Sequence, residues 1–220
     1  MTSGRHVALY LCCLTVAGQL AAQQRVPEPK ATAKGTLVLP VPTSPDLFGD
    51  ITETIGQFDM AVQLPVFKGL GVGIGGQGSF FTLNNRTLGA IHGDAIRWCY
   101  YGKVQYERYT GPRTYYELSA RAGQTILDWN ASTCAEVQRQ YAFHWGAQAA
   151  YYLHASDNLA FGLMLGYASD QLDLYPELLC VETWPGRAEI APIGPLRFLS
   201  VGLGFSTRFT RAPDRPVNYE

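Results

Sequence analysis

The chain has 220 residues, with 17 Lys plus Arg against 18 Asp plus Glu, a near-neutral balance that gives no electrostatic basis for a nucleic-acid partner. Only 16% of residues are charged, against about 25% in ordinary soluble domains, while Gly numbers 23 and Tyr 13. This length supports one domain with a substantial core or one small barrel, and the composition suits a wall with one polar and one apolar face.

In chain order, Arg5 and His6 precede an apolar run over 7–17, followed by the small residues Gly18, Ala21 and Ala22. This pattern predicts a secretory signal over 1–22, because the run is shorter than the roughly 20 apolar residues a membrane helix requires. Cys12 and Cys13 would leave with it. Residues 23–34 are polar with Pro27 and Pro29, a flexible lead-in. Beyond them no segment is long and apolar enough for a membrane helix, and the best, 159–168, carries two glycines.

The dominant signal from there has period two. Residues 35–42 form a candidate first strand, with Pro40 and Pro42 compatible only with an edge or irregular start. Phe58, Met60, Val62 and Leu64 then alternate with Gln57, Asp59 and Gln63, and a glycine-rich strand follows over 70–83. Those glycines lack the Lys-Ser/Thr and helix of a phosphate loop and alternate with Leu70, Val72 and Ile74. The clearest strand is 97–109, where Trp98, Tyr100, Gly102, Val104 and Tyr106 oppose Arg97, Tyr101, Lys103, Gln105 and Glu107. After Thr110-Gly111-Pro112 comes a return with Tyr116, Leu118, Ala120, Ala122 and Ile126 on one face and Glu117, Ser119, Arg121 and Thr125 on the other. Keeping both apolar faces together requires an odd number of loop residues, and three are expected here. A second hairpin runs 141–153, turns at Ala155-Ser156-Asp157 and returns over 159–167 with Ala160, Gly162, Met164 and Gly166 inward. The last strand, 196–209, ends on Phe209.

The joins near 65–69, 110–112 and 155–157 are short, whereas 84–96, 128–138 and 174–195 are long, in strict alternation. Short turns therefore collect at one rim and long loops at the other. The expected fold is all-β, an antiparallel up-and-down transmembrane barrel of about eight strands over 35–211, with a tail over 212–220. The alternating strands, the two-rim asymmetry and the closing run 198–209, Phe-Leu-Ser-Val-Gly-Leu-Gly-Phe-Ser-Thr-Arg-Phe, resemble the small outer-membrane β-barrel families of Gram-negative bacteria. The resemblance implies outer-membrane lipid and the barrel-assembly machinery as partners, short turns and lead-in in the periplasm, and long loops outside the cell. The residues after Phe209 depart from a strictly terminal assembly signal.

No catalytic, cofactor or metal motif stands out, and an enzyme is not the leading expectation. Lys103, Glu107, Glu117 and Arg121 face inward on adjacent strands in either of two registers. If paired positions sum to 224, Lys103 faces Arg121 and Glu107 faces Glu117 with diagonal ion pairs; if they sum to 222, Lys103 faces Ser119. A polar pathway is one reading, and an ion network filling the barrel is the expected one. His144 points inward among glutamines, a general base only if a nucleophile or acidic partner joins it. His92 and His154 fall near opposite ends, so the histidines do not converge on a metal. Cys99, Cys134 and Cys180 all map near the long-loop rim, with Cys99–Cys134 the preferred disulfide and Cys180 the alternative partner. The expected role is structural or surface-interacting through the long loops. An outer-leaflet lipid-modifying enzyme would require an outward-opening cleft beside His144, and a secreted ligand-binding barrel would require an apolar interior and polar exterior.

Overall fold

The computed structural model describes residues 30–185 and 193–209, so the expected signal over 1–22 and the tail over 212–220 lie outside the described residues. Eight strands close into an antiparallel barrel in sequence order: β1 (Thr32–Ser44), β2 (Thr52–Phe67), β3 (Leu70–Leu83), β4 (Gly93–Tyr109), β5 (Thr114–Ala131), β6 (Gln138–His154), β7 (Leu159–Gln171) and β8 (Leu196–Arg208). Closure comes from β1 pairing with β8, Thr32 opposite Arg208 through Ser44 opposite Arg197. The stretch over 35–42 is thus a full member of the wall. Its prolines are accommodated because β1 pairs with β2 only from Thr32 to Val38, leaving Pro40 and Pro42 no ladder on that side. The strand also starts at Thr32, inside the expected lead-in.

Parity decides which face each residue takes. On β4 the even positions from Tyr106 to Ile96 point outward, and Val104 is 58% exposed. Ten residues at about 3.3 Å each, tilted by about 40°, give an apolar band about 25 Å tall. Ile74 and Leu163 continue it around the wall at 74% and 67% exposure. Polar residues bound the band: Arg108 is exposed at one end, and Asp128 pairs with Arg139 across β5 and β6 at the other. Among the described residues no helix is long and apolar enough to cross a membrane, a finding that does not bear on strands.

Turn chemistry fixes the short rim. Phe67 pairs with Leu70, leaving Lys68 and Gly69 as a two-residue hairpin with φ of 41° and 88°. Both central residues at positive φ match the right-handed twist of the flanking strands, and a Cβ on Gly69 would sit 2.4 Å from the Glu107 carbonyl oxygen. The β4–β5 turn is longer than the three residues expected. Tyr109 pairs with Tyr115, and the five residues enclosed keep the odd count that face parity demands.

At the other rim the β1–β2 join carries a short helix, α1 (Asp46–Ile51), which alternation at the seven clearer strands did not reveal. A second single-turn helix, α2 (Asn85–Leu88), starts the β3–β4 loop, where the Asn84 side chain accepts the Arg86 amide. The β7–β8 loop holds a 3-10 turn, Pro176–Leu179. Leu47, Phe48 and Ile51 of α1 are buried with Phe81, Leu127, Trp129, Leu174, Leu179, Trp184 and Phe198. Phe48 lies edge-on to Phe81, Trp129 and Phe198, at centroid distances of 5.1, 5.9 and 5.6 Å. The long-loop mouth is therefore closed by an apolar core.

Candidate functional site

Below that core the lumen is filled by side chains from every strand. Descending β4 from the long-loop end, its inward positions Arg97, Tyr101, Lys103, Glu107 and Tyr109 mark successive layers. In the uppermost layer Arg97 donates through Nε to Asp170 Oδ2 at 2.5 Å and through Nη2 to Oδ1 at 3.0 Å. His144 Nδ1 donates to the same Oδ1 at 2.8 Å, Thr125 Oγ1 at 2.9 Å, and Arg97 Nη1 reaches Ser79 Oγ at 3.2 Å. The Arg97 guanidinium also lies 5.1 Å from the Phe198 ring centroid, joining this layer to the apolar cap. In the next layer Arg121 Nη1 donates to Asp59 Oδ2 at 2.6 Å and the Tyr101 hydroxyl to Oδ1 at 2.5 Å.

The third layer is centred on Glu117. Lys103 Nζ donates to its Oε1 at 2.6 Å, and Lys34 Nζ donates to its Oε2 and to Glu107 Oε1, the latter at 2.5 Å. Gln63 bridges the layer, donating to Glu107 at 2.6 Å and accepting from Lys103 at 3.2 Å. Lys34 lies within cation–π range of Tyr152 and Tyr115, with centroid distances of 4.8 and 5.1 Å. At the short-turn rim Arg208 donates to the Tyr109 hydroxyl and lies 3.1 Å from His154 Nε2.

The four cations Lys34, Arg97, Lys103 and Arg121 thus meet the four anions Asp59, Glu107, Glu117 and Asp170. An isolated charge in such an interior costs several kcal/mol, on the order of 3–5 when one partner is removed, so the one-to-one balance is what makes the filling tolerable. Small residues make room for the large ones. A Cβ at Gly75 would lie 2.5 Å from the Tyr101 hydroxyl oxygen, and one at Gly204 2.9 Å from that of Tyr152.

All five expected inward residues, Lys103, Glu107, Glu117, Arg121 and His144, lie in this lumen. The register sums to 224: Lys103 faces Arg121, Glu107 faces Glu117, and the Lys103–Glu117 pair is diagonal. The glutamine surroundings expected for His144 are replaced by Asp170 and Arg97. Its position is fully buried inside the barrel rather than beside an outward cleft. Lys34, Asp59, Arg97 and Asp170 complete the network. Asp170 continues the even-numbered inward face of β7 after Gly166, so parity alone would have found it. His92 is exposed at the long-loop rim and His154 lies at the opposite one, as their spacing predicts.

The disulfide differs from the preferred pairing. Cys134 bonds Cys180, with Cα atoms 5.3 Å apart, and Cys99 is a free, fully buried thiol. Cys99 occupies an inward position of β4, opposite Gln77 and Thr125, and points into the lumen beneath the cap. Cys134 and Cys180 sit in loops above it, so nearness in sequence was the wrong criterion. The bond ties the β5–β6 loop to the β7–β8 loop, reinforced by the Thr133 hydroxyl donating to the Leu179 carbonyl.

A closed eight-stranded antiparallel barrel, apolar outside and filled with balanced charge inside, has the fold of the small outer-membrane barrels. Among solved structures the chain is similar to Neisserial surface protein A, with a TM-score of 0.53 and 7% identity over 81% of this chain and 97% of that one. It is also similar to the outer membrane protein OprG from Pseudomonas aeruginosa, with a TM-score of 0.49 and 10% identity over 84% and 99%. At 7% identity the likeness to Neisserial surface protein A is one of fold. No protein-family model and no curated sequence matches the chain.

Proposed function

We propose that the chain is an exported outer-membrane protein whose barrel anchors a braced loop cap at the cell surface, in a structural or surface-interaction role rather than as a solute channel. The observation that carries this reading is the inversion of an ordinary soluble core. The wall exposes leucine, valine and aromatic side chains in a band about 25 Å tall, and the interior holds ion pairs. Lipid is the solvent that makes such an exterior stable, and a barrel with no free edge is the strand architecture that satisfies every backbone group there. A secreted ligand-binding barrel has the opposite distribution. With the short turns in the periplasm, α1 and the long loops lie outside, held by the Cys134–Cys180 bond in an oxidising compartment.

The test combines fractionation with electrical recording. The protein is expected in the outer-membrane fraction, released only by detergent, with the mature chain starting near Gln23. Purified protein inserted into a planar bilayer is expected to give no stepwise conductance. Recovery in the soluble periplasm or culture medium without detergent would overturn the membrane assignment, and regular conductance steps would overturn the sealed lumen.

A further inference from the structure

Charge is divided unequally between the rims. At the long-loop end the described residues carry nine carboxylates, among them Asp46, Glu53, Glu136 and Glu177, against Arg86, Arg139 and Arg197. At the short-turn end the described residues carry Lys30, Lys68, Arg108, Arg113 and Arg208 against Asp157. Since the lumen between is neutral, this division is a property of the two surfaces.

Three of the basic residues converge. A hollow at the short-turn rim is lined by Lys30, Lys68, Leu70, Tyr106 and Arg108. Leu70 pairs with Tyr106, and the Glu107 amide donates to the Gly69 carbonyl at 2.8 Å, so the ladder brings Lys68 beside Arg108. Like charges placed across a strand pair repel. Among the described residues no carboxylate lies within ion-pair distance of Lys30, Lys68 or Arg108, and Glu107, which also lines the hollow, directs its carboxylate inward to Lys34 and Gln63. The hollow also sits where the apolar band ends: Lys68 follows the outward Phe67, and Arg108 stands two positions beyond the outward Tyr106.

We propose that this hollow binds the phosphate of an anionic phospholipid of the periplasmic leaflet, with an acyl chain descending past Leu70, Tyr106 and Val104. An anion between Lys68 and Arg108 turns a repulsion into two attractions, and its depth matches that of a headgroup above the band. The inference rests on the membrane reading above, because only that reading puts this rim at a headgroup layer.

The test is native mass spectrometry of the full chain folded in neutral detergent and titrated with phosphatidylglycerol or phosphatidylcholine. One phosphatidylglycerol is expected to be retained at concentrations where phosphatidylcholine is not. The double variant Lys68→Gln, Arg108→Gln is expected to weaken retention roughly thirtyfold, two interfacial cations being lost. Lys68→Arg and Arg139→Gln are expected to keep it, and millimolar inorganic phosphate is expected not to compete. Equal retention of both lipids, unchanged retention in the double variant, or displacement by free phosphate would each overturn the phospholipid site. Should the double variant fail to fold, the wild-type lipid comparison and Lys68→Gln alone decide the matter. Failure of the wild-type chain to fold in any detergent or bilayer would instead count against the membrane reading itself.

Discussion

The two halves of the lumen are filled by different chemistry. Toward the long loops the filling is apolar and comes largely from outside the strands, with Phe48 on α1 and Leu174, Leu179 and Trp184 on the β7–β8 loop packed against Phe81, Trp129 and Phe198. Toward the short turns ion pairs are set among the buried rings of Tyr115 and Tyr152, all from inward strand positions, with Glu117 holding Lys34 and Lys103 at once. Apolar packing is non-directional, so the cap depends on volume and on a disulfide that keeps its loops in place. The ionic half is directional and depends on register, because a one-residue slip would turn each charge into lipid.

The sharpest way to break this comparison is at Glu117. Glu117→Ala leaves Lys34 paired only with Glu107 and Lys103 with only the Gln63 amide oxygen, at a cost of about 3–5 kcal/mol. A large drop in the urea midpoint of the folded form is expected, measured by the gel shift between folded and unfolded barrel or by intrinsic fluorescence. An unchanged midpoint would mean that the interior charges do not hold the lower half together. Phe48→Ala should cost about 3–5 kcal/mol by opening a cavity in the cap, whereas Phe48→Leu, which keeps most of the volume, should cost less than about 1.5. No such rescue is expected at Glu117, since Glu117→Gln keeps the shape and loses the charge. If Phe48→Leu were as damaging as Phe48→Ala, the cap would be as geometry-bound as the ion network.

The disulfide should rank next. Joining residues separated by 46 positions restricts the unfolded chain by about 4 kcal/mol in the loop-entropy picture, and part of that is lost because apolar contacts already hold these loops. A Cys134→Ser, Cys180→Ser variant is expected to lose about 2–4 kcal/mol. It should gain hydrogen exchange in the β5–β6 and β7–β8 loops, with the β4–β5 ladder unchanged. Faster exchange throughout the ladder would show that the cap and the wall unfold as one unit.

The wall was legible because period two and turn spacing are local signals. Parity placed Lys103, Glu107, Glu117, Arg121 and His144 inward, and the odd-loop rule selected even registers, of which the sum of 224 is the one adopted. Lys34 escaped because Pro27 and Pro29 made its neighbourhood read as linker, while its place is fixed by β8 closing on β1, a pairing across almost the whole chain. The cap escaped for the same reason. Nothing near Leu47 or Phe48 announces partners at Trp129 and Phe198, and the Cys134–Cys180 bond follows from how loops fold over a mouth rather than from distance along the chain.

The smallest expected effect tests depth alone. Arg139 donates to Asp128 through Nε at 2.6 Å and Nη2 at 3.0 Å, nearly the geometry by which Arg97 holds Asp170 at 2.5 and 3.0 Å. The first pair stands at the outer surface beyond the apolar band, where the Arg139 side chain is 54% exposed; the second is enclosed, with Arg97 at 2% and Asp170 at 0%. Water and ions replace what Arg139→Ala removes, so its urea midpoint is expected to match the wild type and to be insensitive to salt. Nothing replaces Arg97, whose loss leaves the Asp170 carboxylate buried with only His144 and Thr125 to meet its charge. A measurable loss at Arg139 equal to that at Arg97 would show that bidentate geometry, rather than enclosure, sets the strength of these pairs, and the distinction between the lumen and its rim would fail at the level of a single interaction.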